Sequence, residues 1–169
     1  MKILPFAVTI LLASNVCFAQ VKSTEPRDFR GMEWDTHFSA IPGMVKQFSK
    51  DEKIDVFKRE GDEMRIDQCP LDDLHYETFS GRIFKAIIRF SKCSPSMVYN
   101  DFKNKYGECT KIEDSFEYFI CFWDWKRVKI EYSIDSESGA TEIVYTYKMT
   151  EREYALYLKE KAGVKKDLF

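Results

Sequence analysis

The sequence predicts an α+β domain in which an antiparallel sheet of about six or seven strands packs against two main helices. Three observations support this prediction. Apolar and polar residues alternate in several segments, which is typical of half-buried strands. Short turns join these segments, which favours antiparallel strands over a parallel, doubly wound sheet. Residues 95–106 and 151–162 have the apolar spacing of helices.

The clearest strands lie on either side of Ser80-Gly81, a two-residue turn. Apolar residues lead into this turn from Leu71 to Phe79. After it, one strand face is apolar and the other is basic. The apolar face consists of Phe84, Ala86, Ile88 and Phe90, and the basic face of Lys85 and Arg89. This pattern predicts a half-buried hairpin.

The first helix has three signals that agree. Ser94 can cap it, Pro95 occupies the first position, where proline is tolerated, and Gly107 marks its end. Its apolar stripe consists of Val98, Phe102 and Tyr106. The sequence therefore predicts an amphipathic helix over residues 95–106.

The N-terminal part of the domain gives weaker signals. We expect a first short strand at residues 29–34, then a brief helical turn capped by Thr36 and stopped by Pro42-Gly43. Alternation on either side of residues 60–62 predicts a hairpin over residues 54–67.

The C-terminal part reads as a meander of strands followed by a helix. The expected strands are residues 109–113, 116–123, 127–134 and 141–147. The closing helix has Thr150 and Glu153 at the spacing of a capping box and Gly163 as its expected end.

A weak internal repeat is visible. An aromatic strand, a tight turn and an alternating basic strand occur at residues 76–90 and again at residues 122–132. Two interpretations stay open, a duplicated unit and a chance recurrence, because similar hairpins recur in β-rich chains.

Residues 1–19 have the features of a cleaved export signal. Lys2 gives a short positive region, and residues 3–13 are apolar but too short to span a bilayer comfortably. Cys17-Phe18-Ala19 places small residues at the recognition positions before a cut at Gln20. We therefore expect a periplasmic or secreted protein, with a buried or membrane-anchoring N-terminal helix as the alternative.

After cleavage, residues 20–28 are expected to form a flexible lead and residues 29–169 a single α+β domain without a transmembrane segment. The full chain has 26 basic and 28 acidic side chains and a net charge of −2, and loss of Lys2 makes it −3. This balance argues against binding nucleic acid or a membrane surface, since both need a concentrated positive field.

The four cysteines that follow the signal are Cys69, Cys93, Cys109 and Cys121. In an oxidising compartment they predict two disulfides with three possible connectivities, and none has the C-x-x-C spacing of redox or zinc sites. Cys69 and Cys93 bracket the Ser80-Gly81 turn, and Cys109 and Cys121 are each six residues from Ser115. Pairing across these two hairpins predicts Cys69 with Cys93 and Cys109 with Cys121.

We expect no catalytic residue, cofactor or metal. Asp73 and His75 share a strand face, which we expect to be the solvent face, because a lone pair lacks the further ligands or nucleophile of a site. Residues 135–139 carry oxygen atoms at alternate positions but lack the rest of a calcium loop, so they predict a turn. The motifs of phosphate loops, serine hydrolases and zinc proteases are missing from the sequence.

Trp123 and Trp125 flank Asp124 and share a strand face. One interpretation is a recognition surface for a partner, since a large amphipathic ring can anchor one. The other, which we favour, is that both rings cover the open end of the core. Exposure of the two indoles separates these interpretations.

The opening Phe29-Arg30-Gly31-Met32-Glu33-Trp34 resembles a group of uncharacterised exported bacterial proteins that begin with an F-x-G-[IM]-x-W motif. More distantly, a helix ending in Tyr106-Gly107 before a meander of strands is similar to the small α+β modules of outer-membrane assembly lipoproteins and of secreted β-lactamase inhibitor proteins. The lipid-bearing cysteine of the lipoproteins is missing here. The resemblance implies a fold and assigns no contact residue.

Three classes of function are consistent with the sequence. The first is a non-catalytic exported binding or envelope-associated protein, which we favour because no reactive constellation is visible; its partner would be another exported or envelope protein. The second is a secreted protein inhibitor, and the third is a hydrolase with carboxylates dispersed over distant strands. The ligand and the oligomeric state do not follow from the sequence.

Overall fold

The computed structural model describes residues 24–166, so the predicted signal at residues 1–19 and the start of the predicted lead lie outside the described residues. The described chain is α+β, as predicted. Its strands are β1 (Asp28–Phe29), β2 (Met32–Glu33), β3 (Met44–Ser49), β4 (Ile54–Arg59), β5 (Arg65–Ile66), β6 (Cys69–Pro70), β7 (Asp73–Phe79), β8 (Arg82–Phe90), β9 (Lys111–Asp114), β10 (Tyr118–Asp124), β11 (Val128–Asp135) and β12 (Thr141–Tyr147). Its helices are a 3-10 turn (Phe38–Ala40), α1 (Pro95–Tyr106) and α2 (Lys148–Lys166).

Eight strands form one antiparallel sheet in the order β3-β4-β7-β8-β12-β11-β10-β9. The predicted count of six or seven is therefore too low for this sheet. The difference is β3, which lies at an edge and is exposed along almost its whole length, so it lacks the alternation that marks a half-buried strand. Two small hairpins, β1-β2 and β5-β6, stand outside the main sheet.

The hairpin of β7 and β8 is confirmed. Ser80 and Gly81 both have positive φ angles, of 50° and 83°, which suits the tight turn that matches the twist of paired strands. The pairing shifts between Glu77 and Thr78. Because of this bulge, Phe84 packs in a second, smaller core, whereas Ala86 packs in the main core. The prediction that Phe84 and Ala86 share one strand face is therefore wrong.

Helix α1 spans the predicted residues and covers one face of the sheet. Its buried stripe is Val98, Phe102 and Tyr106, as predicted. Phe102 packs against the rings of Trp123, Tyr132 and Tyr145, with centroid distances of 5.8, 6.3 and 6.3 Å. The main core therefore lies between α1 and the strands on both sides of the sheet's centre.

Helix α2 begins at Lys148, directly after β12, and continues through Gly163. The predicted capping box is wrong, because Thr150 lies inside the helix and is buried. Its hydroxyl donates a hydrogen bond to the Asp35 carboxylate at 2.6 Å. Tyr154 and Tyr157 pack against Phe79 in a second, smaller core. Helix α2 thus covers one end of the sheet.

The chain places a four-stranded antiparallel meander before each helix. Strands β3, β4, β7 and β8 precede α1, strands β9 to β12 precede α2, and the last strands of the two meanders, β8 and β12, pair at the centre of the sheet. The repeat predicted from the sequence differs in register. In the sequence repeat, β7-β8 corresponds to β10-β11. In the order of strands in the sheet, β7-β8 corresponds to β11-β12.

Three N-terminal predictions are corrected. Residues 29–34 form the two-residue strands β1 and β2 around Arg30-Gly31 instead of one strand. The 3-10 turn is capped by His37, whose ring accepts from the Ser39 N–H, instead of by Thr36. Residues 54–67 are not a hairpin, because β4 pairs with β3 and β7.

Candidate functional site

A cleft of about 690 Å³ opens on the face of the sheet that α1 covers. One wall is α1, the second is residues 24–30, and the third is the β5-β6 hairpin at residues 65–67. Ile88 and Tyr145 reach the floor from the two central strands. Its volume is in the range of pockets that hold small ligands.

The N-terminal wall is fastened to the C-terminal half of the chain by Glu25. Its carboxylate accepts hydrogen bonds from the backbone N–H groups of Arg127 and Val128, at 2.5 and 2.8 Å. These two donors lie where β11 begins, after the turn from β10. The part of the predicted lead that contains Glu25 is therefore attached to the sheet.

Arg30 joins the second wall to the third. Its guanidinium donates to the carbonyl oxygens of Glu63 and Arg65, at 2.5 and 2.9 Å. The same guanidinium lies over the Phe29 ring, 5.8 Å from its centroid. Charge-assisted bonds of this kind are stronger than neutral ones, so the two walls are held at a defined separation.

The floor carries two tyrosine hydroxyls that face each other. The hydroxyls of Tyr106 and Tyr145 are 3.5 Å apart, which is long for a bond between two hydroxyl oxygens. Burial raises the pKa of Tyr145, and the Tyr106 hydroxyl raises it further, so Tyr145 keeps its proton at neutral pH. Each hydroxyl can both donate and accept. The pair can therefore still receive a polar group of a ligand.

The charges around the cleft balance. The basic members are Arg27, Arg30, Arg65 and Lys105, and the acidic members are Glu25, Asp28, Asp67 and Asp101. Glu25 and Asp28 both accept hydrogen bonds from backbone N–H groups. Because the two signs are equal in number, the rim has no net charge to favour a strongly charged ligand of either sign.

The structure places the two tryptophans differently. Trp123 is 0% exposed, packs under α1, and donates its indole N–H to the Gly107 carbonyl at 2.8 Å. It cannot touch a partner, so for Trp123 the core interpretation holds and the recognition interpretation is wrong. Trp125 is partly buried against Tyr106, at 5.6 Å between ring centroids. Partner binding by Trp125 stays a prediction.

The four cysteines lie in the predicted pairs. Cys69 and Cys93 have Cα atoms 5.7 Å apart, and Cys109 and Cys121 have Cα atoms 5.8 Å apart. The predicted position of Cys109 is wrong in detail. Ile112 is opposite Cys121 in the ladder, and Cys109 reaches Cys121 from the segment before β9.

The Asp73 and His75 pair is a local hydrogen-bonded pair on the face of the sheet opposite α1. His75 is 8% exposed, so the predicted solvent position is wrong; Ile87 is directly opposite it in β8. The His75 Nδ1 lies 2.7 Å from the Asp73 carboxylate, which also pairs with Lys58 at 2.7 Å. Among the described residues no hydroxyl or thiol is hydrogen-bonded to His75.

Residues 135–139 form the predicted turn. The Asp135 carboxylate accepts from the backbone N–H of Glu137 and Ser138, at 3.1 and 2.7 Å, and from the Ser138 hydroxyl at 2.8 Å. These bonds hold the pKa of Asp135 below its ordinary value. Within residues 24–166 no three His, Cys, Asp or Glu side chains are grouped to hold a metal ion.

The sequence does not predict the cleft, although the opening motif contributes part of its wall. Phe29, Met32 and Trp34 of the opening motif are buried in the core. Arg30 is the motif's variable position, and its role depends on contacts more than thirty residues away along the chain. No local pattern could have related it to Tyr145.

Comparison of the chain with protein-family models, with curated proteins and with solved structures found no match. None of the helices among residues 24–166 combines the length and the apolar character needed to cross a membrane.

Proposed function

We propose that this chain is an exported, non-catalytic binding protein that holds a small molecule in the cleft between α1, residues 24–30 and the β5-β6 hairpin. The observation that carries the proposal is the cleft itself, whose walls are fixed by Glu25 and Arg30 before any ligand arrives. A site that is already formed loses little free energy to ordering when it binds.

The ligand class follows from the lining. Ile88, Phe102 and Tyr145 offer an apolar floor for a ring or chain. The hydroxyls of Tyr106 and Tyr145 offer a hydrogen bond for one polar group. The balanced rim favours an uncharged or zwitterionic molecule. We therefore propose an amphipathic small molecule with an apolar body as the ligand.

Two of the four carboxylates that line the cleft, those of Glu25 and Asp28, count against the hydrolase alternative. Glu25 and Asp28 already accept backbone hydrogen bonds. A general acid or base needs a carboxylate free to exchange a proton with the substrate. The carboxylates of Glu25 and Asp28 are therefore occupied by structural hydrogen bonds.

The test uses N-phenyl-1-naphthylamine, an uncharged aromatic probe that fluoresces in apolar sites. Asp101 is exposed on α1 at the cleft, so Asp101→Phe should obstruct the opening and weaken probe binding by about tenfold or more. Asn104 is exposed on the same helix but does not line the cleft, so Asn104→Phe is the matched control and should bind as the wild type does. Equal affinity of wild type and Asp101→Phe would place the probe elsewhere.

Export is a separate part of the proposal. The two cysteine pairs at disulfide distance are the observation that supports an oxidising compartment. Mass spectrometry of protein recovered from the periplasm or medium of an expressing bacterium should give an N-terminus at Gln20. Recovery of only the uncleaved chain from the cytoplasm would contradict export.

We also propose that the domain arose by duplication of a four-stranded meander followed by a helix. The support is the central pairing of β8 with β12, which relates the two halves in order and direction. Expression of residues 24–107 alone tests this, because a descendant of an independent unit is expected to keep some cooperative structure. A fully unfolded fragment in circular dichroism would count against it.

A further inference from the structure

The two edges of the main sheet differ in how they meet solvent. At one edge, β3 carries a bulge between Lys46 and Phe48, and Lys46 is paired with Asp55 of β4 at 2.7 Å. A bulge is a usual means of preventing one sheet edge from pairing with another, whereas charged residues oppose such pairing where like charges would meet. At the other edge, β9 pairs with β10 in an unbroken register from Lys111 to Asp114.

The backbone groups that β9 presents to solvent follow from the hairpin. Ser115 donates its N–H to the Tyr118 carbonyl at 2.9 Å, which makes these residues a hydrogen-bonded pair. Hydrogen-bonded and non-bonded pairs alternate along an antiparallel ladder. The amides and carbonyls of Lys111 and Glu113 therefore face β10, and those of Ile112 and Asp114 face outward from the last strand of the sheet.

The side chains of β9 are complementary to themselves. Within one copy Lys111 and Glu113 form an ion pair with each other. If a second β9 pairs antiparallel about a two-fold axis at Ile112, the two Ile112 side chains meet, and each Lys111 also lies opposite Glu113 of the other copy. Ile112 is 55% exposed, so a second copy would bury apolar surface at the axis. A two-residue shift of register either way would place Lys111 against Lys111 or Glu113 against Glu113. Opposite charges directly across a ladder stabilise it and like charges destabilise it, so one register is selected.

The same arrangement brings the exposed hairpin tip into contact. Phe116 is 99% exposed at the tip between β9 and β10. The Thr110 N–H is bonded to the Phe122 carbonyl at 2.8 Å, so the shared ladder is confined to residues 111–113. In the selected register Asp114 is opposite Thr110 of the second copy, and the tip lies beyond the ladder, beside residues 108–110 of that copy. The exposed ring of Phe116 would then be covered in part by the second copy.

We propose that two copies of this chain associate edge to edge through β9, in the register centred on Ile112, so that their sheets become continuous. The interface is isologous, as in most homodimers. Its ladder of three residues per copy is short, so we expect association in the micromolar range. This proposal does not depend on the proposed function.

The experiment is sedimentation velocity of the mature protein at concentrations up to about 300 µM, far above the dissociation constant expected for so short a ladder. Wild type should pass from monomer to dimer. Lys111→Glu and Glu113→Lys each put like charges across the axis and should raise the dissociation constant about tenfold or more.

The double variant Lys111→Glu/Glu113→Lys restores opposite pairs and should recover wild-type association, which a merely unfolded variant cannot do. Val45→Lys on the other edge, where Val45 is 41% exposed, is the control and should dimerise normally. A wild-type protein that stays monomeric at every concentration overturns the proposal. So does a dimer that both single variants leave unchanged, because it would lie on another surface.

Discussion

Gly81 lies directly beneath the imidazole ring of His37. A Cβ atom on Gly81 would stand 2.7 Å from the ring's Cδ2 and closer still to Nε2, and the φ angle of Gly81 is +83°. The contact is reinforced by the Phe38 N–H, which donates to the Gly81 carbonyl at 2.8 Å. The turn between β7 and β8 thus packs against the segment that follows the opening motif.

Gly81→Ala should therefore destabilise the protein by about 2–4 kcal/mol, since it combines an overpacked contact with an unfavourable backbone angle. Urea unfolding of the variant measures this loss. His37→Ala removes the ring that the new methyl group would strike. The double variant should consequently be more stable than the sum of the two single losses predicts, and simple additivity would mean that the ring is not the obstacle.

Trp123→Phe should cost about 2–3 kcal/mol of stability. The change removes the hydrogen bond to the Gly107 carbonyl and leaves space in a fully buried site. Trp125→Phe is the matched control and should cost less than about 1 kcal/mol, because Trp125 is only partly buried. Thermal or urea unfolding compares them, and equal losses would contradict the different positions of the two indoles.

Removing either disulfide should cost on the order of 3 kcal/mol, because each link restricts a short loop of the unfolded chain. Reduction of both is expected to lower the melting temperature markedly. Non-reducing peptide mapping should join Cys69 to Cys93 and Cys109 to Cys121. A peptide linking Cys93 to Cys109, or four alkylatable thiols in the denatured mature protein, is the contrary result.

Acid should remove a small contribution of Asp73 to stability. Burial raises the pKa of Asp73, but hydrogen bonds from Lys58 and His75 outweigh burial and leave the pKa below its ordinary value of 3.8. Because the folded pKa is depressed, the contribution is complete above the unfolded value and is lost as the pH falls through the folded value. Its size is on the order of 0.5–1 kcal/mol, since the Lys58 and Asp73 side chains are partly exposed to solvent.

Urea unfolding of wild type and Asp73→Asn from about pH 6 to about pH 2 measures this contribution. The variant should lose less stability on acidification than the wild type. Lys58→Ala should reduce the difference, because Lys58 is one of the donors. Parallel pH profiles of wild type and Asp73→Asn would refute the account.

The sequence predicts well those elements whose pattern is local. Helix α1 has its proline, its apolar stripe and its final glycine within a dozen residues, and the structure follows them. Strand β3 was missed because Lys46, Gln47 and Ser49 interrupt its apolar residues, and an edge strand exposed to solvent needs no alternation. The end of α2 was misjudged because glycine stops a helix only when the chain can turn there, and here it does not.

The candidate site cannot be predicted from the pattern of residues along the chain. Its walls come from residues 24–30, residues 65–67 and α1, and its floor from two strands more than fifty residues apart in the chain. Trp123 illustrates the same limit within one strand. Alternation puts Trp123 on the same face as Trp125. The burial of the Trp123 indole depends on the Gly107 carbonyl, which accepts its N–H and which is distant in the sequence.

The pairing of β8 with β12 has a consequence for the order in which the chain assembles. Most neighbouring strands are joined by short turns, but this pair joins residues separated by roughly a third of the chain, such as Phe90 and Thr141. Closing so long a loop costs more entropy than closing a hairpin. Whether the chain emerges from the ribosome or from an export channel, the first meander precedes β12, so Ala86 and Ile88 lie on an open strand edge until β12 pairs with it. That interval, rather than the finished protein, is when this chain is most exposed to aggregation.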